Sequence, residues 1–208
     1  MTEKKHVMGL CGEKLLQMFL KKENITAMTG VAFEEVTADR IKLTDGTSVP
    51  FKYAMVVPPF VGQDIARTTP GLTDDKGYIP VADTYQSKAY PQIYAAGIAA
   101  QVPVPWQTAV PIGIPKTGFP TESMAKVAAR NIAAAIKGQP PASHKDFGDM
   151  AAVCMMDAGA NGVMILADHM LPPRKAAVMI PGPQVHAMKV AFEKYYLWKS
   201  RHGYVRLP

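Results

Sequence analysis

The sequence predicts a mixed α/β fold built from short helices and strands. Three segments carry apolar residues at helical spacing, and several short apolar or alternating runs between them are typical of strands. The 208 residues include 18 prolines and 16 glycines, so turns must interrupt these elements often. With 48% hydrophobic and 19% charged residues, the composition favours a globular protein with a buried core over a disordered chain.

The chain begins with a predicted helix and a predicted hairpin. Residues 12–22 place four apolar side chains on one face and lysines on the other, which predicts a helix. Strand character follows at residues 25–36. Residues 40–43 and 49–53 flank an Asp-Gly turn, and this arrangement is typical of a β-hairpin.

The middle of the chain predicts short buried strands separated by irregular connections. Residues 54–57 form an apolar run that ends at two prolines, and residues 93–97 form a second run that ends at a glycine. Such continuous runs are typical of strands with both faces covered. Residues 78–81 predict another short strand, whereas five prolines between residues 101 and 120 argue against regular structure there.

A helix, a hairpin and a last helix complete the prediction. Residues 121–136 carry an apolar face, and Thr121 can cap the first turn. Residues 151–156 and 162–167 are apolar segments on either side of a turn, so we expect two antiparallel strands. Residues 184–201 predict the last helix.

Charge and cysteine content limit the classes of protein to which this chain can belong. The net charge is +6, but no long basic run or nucleic-acid motif accompanies it, so we do not expect nucleic acid as a partner. Two cysteines give no disulfide framework, and the five histidines lack metal-ligand spacing, so no metal is expected. No signal peptide and no run of ~20 apolar residues is visible. We therefore expect a cytoplasmic chain or one bound peripherally to a membrane face.

Seven short motifs occur in a fixed order between Thr44 and Leu197. They are FKYAMVVPPF at 51–60, GYIPV at 77–81, IYAAG at 93–97, GIPKTG at 113–118, ESMA at 122–125, AVCM at 152–155 and KVAFEKYY at 189–196. In this order and spacing they resemble sulfide:quinone oxidoreductases and the related flavocytochrome c sulfide dehydrogenases. The resemblance covers about three quarters of the chain.

The resemblance implies the C-terminal half of a flavoprotein with two dinucleotide-binding domains, plus a small C-terminal β-hairpin and helix region. Residues 1–59 would end the second nucleotide-type domain, residues 60–142 would be the returning part of the FAD domain, and residues 143–208 would face quinone and membrane. No Gly-x-Gly-x-x-Gly follows a predicted strand. The adenosine and pyrophosphate site for FAD is therefore not expected in this chain.

Cys154 is the catalytic candidate. Family members capture sulfide at two cysteines that flank the flavin, and the resemblance places one of them at Cys154. Without the resemblance, a cysteine in an apolar strand is more simply interpreted as a core residue. Cys11 does not fall at the position of the second cysteine; it lies between glycines before a helix, where either a reactive thiol or a passive one is possible.

The resemblance places flavin contacts at Gly97, Ile98, Lys116, Thr117 and Gly118. Related flavoproteins often have Gly-Asp where this chain has Gly97-Ile98, and the departure favours the narrower family. The other three residues precede a helix whose N–H groups and dipole favour negative charge, such as develops on reduced flavin. The alternative is a strand-end glycine and an ordinary helix start with a surface lysine.

Lys189, Phe192 and Tyr196 share one face of the last helix because they are three and four residues apart. The resemblance implies a quinone pocket here, with an aromatic ring and a lysine against the quinone; an aromatic helix face packed in a core is the alternative. Further aromatic and basic residues suit contact with an anionic membrane. They are Tyr195, Trp198, Lys199, Arg201 and Tyr204.

The function implied is that of an FAD-dependent sulfide:quinone oxidoreductase, an enzyme at family level but incomplete as this chain alone. We expect sulfide and quinone as substrates, a separate N-terminal-half polypeptide or a longer parent chain, and a homo-oligomer, since large exposed apolar faces are rare on monomers. Two alternatives stay open. One is a non-catalytic remnant that dimerises or binds membranes, and the other is a thiol redox protein without flavin.

Overall fold

The computed structural model describes residues 12–58, 60–103, 117–159, 161–171 and 174–204. The helices are α1 (Gly12–Lys22), α2 (Asp64–Arg67), α3 (Gly118–Ile136) and α4 (Pro183–Arg201), with a 3-10 helix at Gly97–Ala99. The strands are β1 (Phe33–Val36), β2 (Arg40–Leu43), β3 (Ser48–Pro50), β4 (Ile79–Pro80), β5 (Ala100–Gln101), β6 (Ala152–Ala158), β7 (Asn161–Ala167) and β8 (Ala177–Gly182). This mixture confirms the predicted α/β class.

The first sheet is an antiparallel meander of β1, β2 and β3. Its β2–β3 turn follows the predicted chemistry, because Gly46 adopts a φ of +86° and the Asp45 side chain accepts the Thr47 N–H at 2.8 Å. Leu43 is buried, whereas all four residues of β1 are exposed. The predicted hairpin is confirmed, but the sheet leaves apolar side chains of β1 uncovered.

The main core lies between α3 and the segment that carries the short parallel pair β4–β5. Helix α3 contributes Met124, Val127 and Ala128 to it. The other buried members are Leu72, Ile79, Val81, Tyr85, Ala95, Ala100, Phe147 and Met150. Contributions from residues 72 to 150 make this the packing centre of the described chain.

Asn131 is a buried polar residue of α3 whose hydrogen bonds are satisfied by two loops. Its amide nitrogen donates to the carbonyl oxygens of Thr84 at 3.0 Å and Ser143 at 2.7 Å, and its amide oxygen accepts the Ser143 N–H at 2.9 Å. Nearby, the Tyr85 hydroxyl donates to the Lys145 carbonyl at 2.9 Å. These bonds tie the loops at residues 84 and 143 to the core helix.

The last sheet, β6–β7–β8, is antiparallel throughout, and α4 packs on one of its faces. Close contact is made by Val185, which is buried against Gly162. A Cβ on Gly162 would lie 3.0 Å from Val185 Cγ1 and 2.7 Å from the Met156 carbonyl oxygen. Glycine at this position therefore lets the helix approach the sheet.

Strand β8 was not predicted, so the expected C-terminal hairpin is a three-stranded sheet. The segment Ala177–Gly182 contains Pro181, which weakens a strand pattern in the sequence. Proline is tolerated because β8 is an edge strand that pairs with β7 on one side only.

Two predicted strands are wrong. Residues 54–57 are not a strand, and Met55 is 80% exposed. Residues 93–97 form no strand and contribute one isolated bridge, between Tyr94 and Gln86. The strand in this part of the chain is β5, which begins at Ala100. An apolar run becomes a strand only when another strand pairs with it, and within the described residues none flanks 54–57.

Two predicted boundaries are also corrected. The strand expected at residues 25–36 is confined to β1. Helix α3 starts at Gly118 rather than after Thr121, with Thr117 at its N-cap and no side-chain cap bond. Pro120 fits inside the first turn, where a helix makes no use of the missing N–H.

A loop between β7 and β8 is closed by Asp168. Its carboxylate accepts the N–H groups of Lys175 at 3.0 Å and Ala176 at 3.3 Å, and the His169 ring nitrogen lies 3.0 Å away. Partial burial opposes ionisation, but these partners outweigh it and lower the pKa of Asp168 to about 2. The loop therefore depends on an ionised carboxylate.

Replacement of Asn131 by alanine should destabilise the fold. The change leaves two carbonyl groups and one N–H of the Thr84 and Ser143 loops without their partner, so we expect a loss of about 2–4 kcal/mol. Urea denaturation would measure it. Arg130→Ala, at the neighbouring exposed position, is the control and should stay within about 0.5 kcal/mol of wild type. Equal stability of both variants would contradict the role assigned to Asn131.

The Asp168 carboxylate should make stability depend on pH in the acid range. Its folded pKa of about 2 lies below the ordinary value of 3.8, so the unfolded chain binds the proton more readily. The stabilisation is complete above about pH 4 and is lost as the pH falls through about 2. The difference in urea midpoint between wild type and Asp168→Asn should shrink over this range, whereas exposed Asp75→Asn should show no such change.

Candidate functional site

Cys154 is exposed on β6, where it pairs with Ile165 of β7. The interpretation of Cys154 as a core residue is therefore wrong. An exposed thiol on a regular strand can meet a small solute, and its backbone is held by pairing on the β7 side. The chemistry predicted for Cys154 has the access that it requires.

The two faces of the β6–β8 sheet carry different groups. Asp157 contacts His186 and Lys189 of α4, so Asp157 lies on the face that α4 covers. Because side chains alternate along a strand, Val153 shares that face and Cys154 lies on the opposite one. The sheet therefore separates the thiol from the helix that carries the predicted quinone residues.

Gly97 packs against the beginning of α3. Its φ of +63° is in the left-handed region, and its N–H donates to Met124 Sδ at 3.0 Å. A Cβ on Gly97 would lie 2.7 Å from Thr121 Cγ2. Thr121 in turn donates its N–H to the Thr117 carbonyl at 3.1 Å. The structure thus brings the Gly97 turn and the α3 N-terminus together, as a shared flavin-contact region requires.

The exposed side of this junction can attract negative charge. Ile98, Thr117 and Gly118 are all exposed there, and the first-turn N–H groups of α3 have no carbonyl partner one turn earlier within the helix. No described atom lies within 4 Å of where a Cβ on Gly118 would be. This edge therefore favours a ligand group that carries electron-rich oxygen or nitrogen atoms. Lys116, the remaining predicted contact, lies outside the described residues.

Lys189, Phe192 and Tyr196 lie along α4 as predicted. The Phe192 and Tyr196 ring centroids are 6.1 Å apart, and the rings are 45% and 47% exposed. An aromatic face packed in a core would be buried, so that alternative is not supported for these rings. The Lys189 ammonium lies 3.6 Å from Asp157 Oδ2. A lysine and two half-exposed rings therefore share a surface that a flat apolar ligand could contact.

The C-terminal end of α4 holds an aromatic cluster. The Trp198 ring lies 4.9 Å from His202, 5.8 Å from Tyr204 and 6.3 Å from Tyr195, measured between centroids. Lys199, expected among the interfacial basic residues, is only 5% exposed. Its ammonium lies 6.0 Å from the Tyr195 ring centroid, so its side chain covers aromatic surface.

The sequence patterns did not indicate Asp157 and His186 as residues of the site. Asp157 was detectable, because it is the one charged residue in the sequences of β6, β7 and β8. The contact with His186 could not be found in the sequence, since 29 residues separate the two. Only the docking of α4 on the sheet shows it.

The predicted residues form separate groups. Within the described part of the chain, neither a hydrogen bond nor an ion pair joins Cys154 to the Gly97–α3 junction. Cys11 lies outside the described residues, so its role stays a prediction. The described residues contain no cluster of three or more His, Cys, Asp or Glu side chains that could hold a metal ion. None of the described helices is long and apolar enough to cross a membrane.

An open depression beside β5 involves none of these residues. It measures about 340 Å³ including its mouth, and its lining includes Val81, Tyr85, Gln101, Val102, Lys145 and Phe147. Its position apart from Cys154 and α4 gives no reason to include it in the candidate site.

A family model described as pyridine nucleotide-disulphide oxidoreductase matches residues 7–113, about half of the chain. The chain belongs to this family. Its members are flavin-dependent oxidoreductases, so the predicted flavoprotein fold and the predicted enzyme family are both confirmed at this level.

Within this family, the chain is similar to the sulfide-quinone reductase of Aquifex aeolicus (strain VF5). The two are 30% identical over 197 residues, which is 92% of this chain and 45% of the relative. The X-ray structure of the sulfide:quinone oxidoreductase from that hyperthermophilic bacterium matches with a TM-score of 0.82 and 28% identity, covering 94% of this chain and 46% of the other. The resemblance found in the sequence is confirmed, and the chain spans about half the length of these relatives.

Replacement of Gly97 by alanine should disturb the junction with α3. The new methyl group would strain a left-handed φ and clash with Thr121, so we expect a loss of about 2–4 kcal/mol in urea denaturation. Thr121→Ala should recover part of this loss in the double variant. Gly46→Ala, which has a similar φ but open space, isolates the backbone strain and should cost only about 1–2 kcal/mol.

Proposed function

We propose that this chain supplies a sulfide-capturing cysteine and a quinone-facing surface to an FAD-dependent sulfide:quinone oxidoreductase. The observation that carries the proposal is the placement of Cys154 and of Lys189 and Phe192 on opposite sides of one sheet. Such a division keeps the sulfur reaction apart from the quinone reaction. Similarity to sulfide-quinone reductase over most of the chain supports the same function.

Cys154 would take part in sulfur capture. A cysteine thiolate and HS⁻ form one S–S bond and yield a persulfide, one proton and two electrons. The thiolate rather than the thiol reacts, and exposure of Cys154 gives HS⁻ access to it. The second cysteine that the family uses would have to come from the remainder of a longer enzyme.

FAD would accept those two electrons and release them to a quinone. The exposed residues Ile98, Thr117 and Gly118, with Lys116 and the buried turn at Gly97, would contact the isoalloxazine and stabilise negative charge on it. These residues leave the adenosine and pyrophosphate unsupported. We expect the isolated chain to bind FAD weakly or not at all.

Reduction of a quinone to a quinol consumes two electrons and two protons, and Lys189, Phe192 and Tyr196 would hold the quinone. Phe192 and Tyr196 offer exposed aromatic surface, and Lys189 offers a positive charge for a quinone oxygen. Because quinones reside in membranes, we propose peripheral contact through the exposed aromatic and basic end of α4. Trp198 and Arg201 are exposed there. The division of the chain into three parts, residues 1–59, 60–142 and 143–208, also remains a proposal.

The chain would function within a larger assembly. Exposed large apolar residues include Phe33, Tyr53, Met55, Val57, Phe60 and Ile65. Such a surface would be buried against a polypeptide that supplies the rest of the enzyme, or against a second copy.

Exposure of Cys154 also favours a second candidate, a thiol-based redox or sulfur-transfer protein that uses no flavin. If the exposed apolar surface is buried only in a dimer of this chain, a non-catalytic dimerising remnant would be favoured instead. The three functions predict different results when FAD and sulfide are added.

The visible spectrum of the chain with FAD, recorded with and without the polypeptide that supplies the remainder of the enzyme, tests the proposal together with a Cys154→Ser variant. Flavin bands that remain through gel filtration and bleach on addition of sulfide are expected once the remainder of the enzyme is present. Cys154→Ser should keep the bands and lose at least about 100-fold in bleaching rate, since it removes the nucleophile. Cys11→Ser should keep both properties.

Other outcomes distinguish the candidates. A protein that stays colourless even with the remainder of the enzyme present, but takes a sulfane sulfur from added polysulfide onto Cys154, would favour the flavin-free function, because that transfer needs no external oxidant. A colourless protein with an unreactive Cys154 that elutes as a dimer would favour the remnant. Sulfide-dependent bleaching that survives Cys154→Ser would contradict the role proposed for this cysteine.

A further inference from the structure

One carboxylate lies within an otherwise uncharged sheet. The sequences of β6, β7 and β8 are AVCMMDA, NGVMILA and AVMIPG, so Asp157 is their one charged residue. A carboxylate that is partly removed from water costs free energy unless a partner compensates it. The side chain of Asp157 is 30% exposed, so its partners contribute to keeping the charge stable there.

Both partners of Asp157 come from α4. His186 Nδ1 lies 3.3 Å from Oδ1, and Lys189 Nζ lies 3.6 Å from Oδ2. The hydrogen bond from His186, ahead of the charge of Lys189, keeps the pKa of Asp157 below its ordinary value. Each oxygen therefore has its own partner, and the carboxylate is fixed in orientation.

The position of the Lys189 ammonium is what this arrangement restricts. A lysine side chain has a flexible four-carbon stem with many rotamers, so an unpaired ammonium would sample a wide volume. Attachment to Asp157 keeps the ammonium on the sheet side of α4, along which Phe192 and Tyr196 also lie. The other ionisable groups along this side of α4 are His186, already a partner, and Glu193, Tyr196 and the buried Lys199 further along the helix.

We propose that Asp157 is a positioning residue that fixes the Lys189 ammonium for a quinone oxygen, with His186 orienting the carboxylate. The inference rests on the proposed quinone site and adds two residues to it. His186 holds Oδ1, and this leaves Oδ2 directed to the lysine. An ammonium has three donors, so contact with Asp157 leaves two for an incoming carbonyl oxygen.

The contacts of the Asp157 carboxylate with His186 and Lys189 can be tested without any quinone. The Asp157 carboxyl would be titrated by carbon-13 NMR in the wild-type chain, in His186→Ala and in Lys189→Met. Its pKa should rise in both variants, because each substitution removes a partner that favours the ionised carboxylate. A pKa unchanged by either substitution would overturn the cluster itself.

The positioning role is tested by binding of a ubiquinone with one isoprene unit, measured by equilibrium dialysis. Asp157→Asn should raise the dissociation constant about three- to tenfold, and Asp157→Glu should recover part of the affinity. In the Lys189→Met variant, Asp157→Asn should cause no further rise in the dissociation constant, because Asp157 acts through that lysine. Glu34→Gln breaks a similar exposed pair with Lys42, at 3.0 Å in the β1–β3 sheet, and should bind like wild type.

The outcomes separate this inference from the proposed function. If the wild-type chain binds the quinone and Asp157→Asn binds it equally well, the positioning role is overturned while the quinone site stands. The positioning role is likewise overturned if Asp157→Asn weakens binding as much without Lys189 as with it. If the wild-type chain does not bind the quinone, the proposed quinone site fails, and the purpose assigned to the cluster fails with it. The titration would still establish the shared carboxylate.

Discussion

The packing of α3 against the segment around β4 and β5 is the interaction on which the described fold depends. Met124 is fully buried in that core, and it also accepts the N–H of Gly97. Asn131, two turns further along, closes two loops with three hydrogen bonds. One helix therefore fixes the turn at residue 97, the entry to residue 118 and the loops at residues 84 and 143. Any cofactor contact at the junction inherits its geometry from this packing.

The C-terminal sheet is organised by a different constraint, the close approach of α4 to Gly162. That approach buries Val185 and brings the beginning of the helix to the end of β6. Asp157 then contacts His186 and Lys189 of α4, whereas Cys154 lies on the other face of the sheet. In the proposed enzyme, two chemistries that must not mix would be kept apart by the thickness of one sheet. The alternation of side chains along a strand is sufficient to do this.

The success of sequence reasoning differed between elements for a physical reason. Helices α1 and α4 were predicted almost to the residue, because apolar periodicity is contained in each segment. The β2–β3 hairpin followed from its Asp-Gly turn. Residues 54–57 failed because a buried strand needs neighbours, and none flanks them among the described residues. The motifs around Cys154 and Lys189 indicated the family, but they did not indicate Asp157 as the group that links strand and helix.

The α/β class, the helical segments, the flavoprotein family and the residue types available for sulfur and quinone chemistry could all be predicted from the amino-acid sequence. These depend on local periodicity and on the order of short motifs. The exposure of Cys154, the burial of Lys199 and the placement of Cys154 and Lys189 on opposite sides of a sheet became known from the three-dimensional fold. Burial and side-chain direction depend on which strands pair and where a helix docks. Those contacts join residues far apart in the chain, and no local pattern contains them.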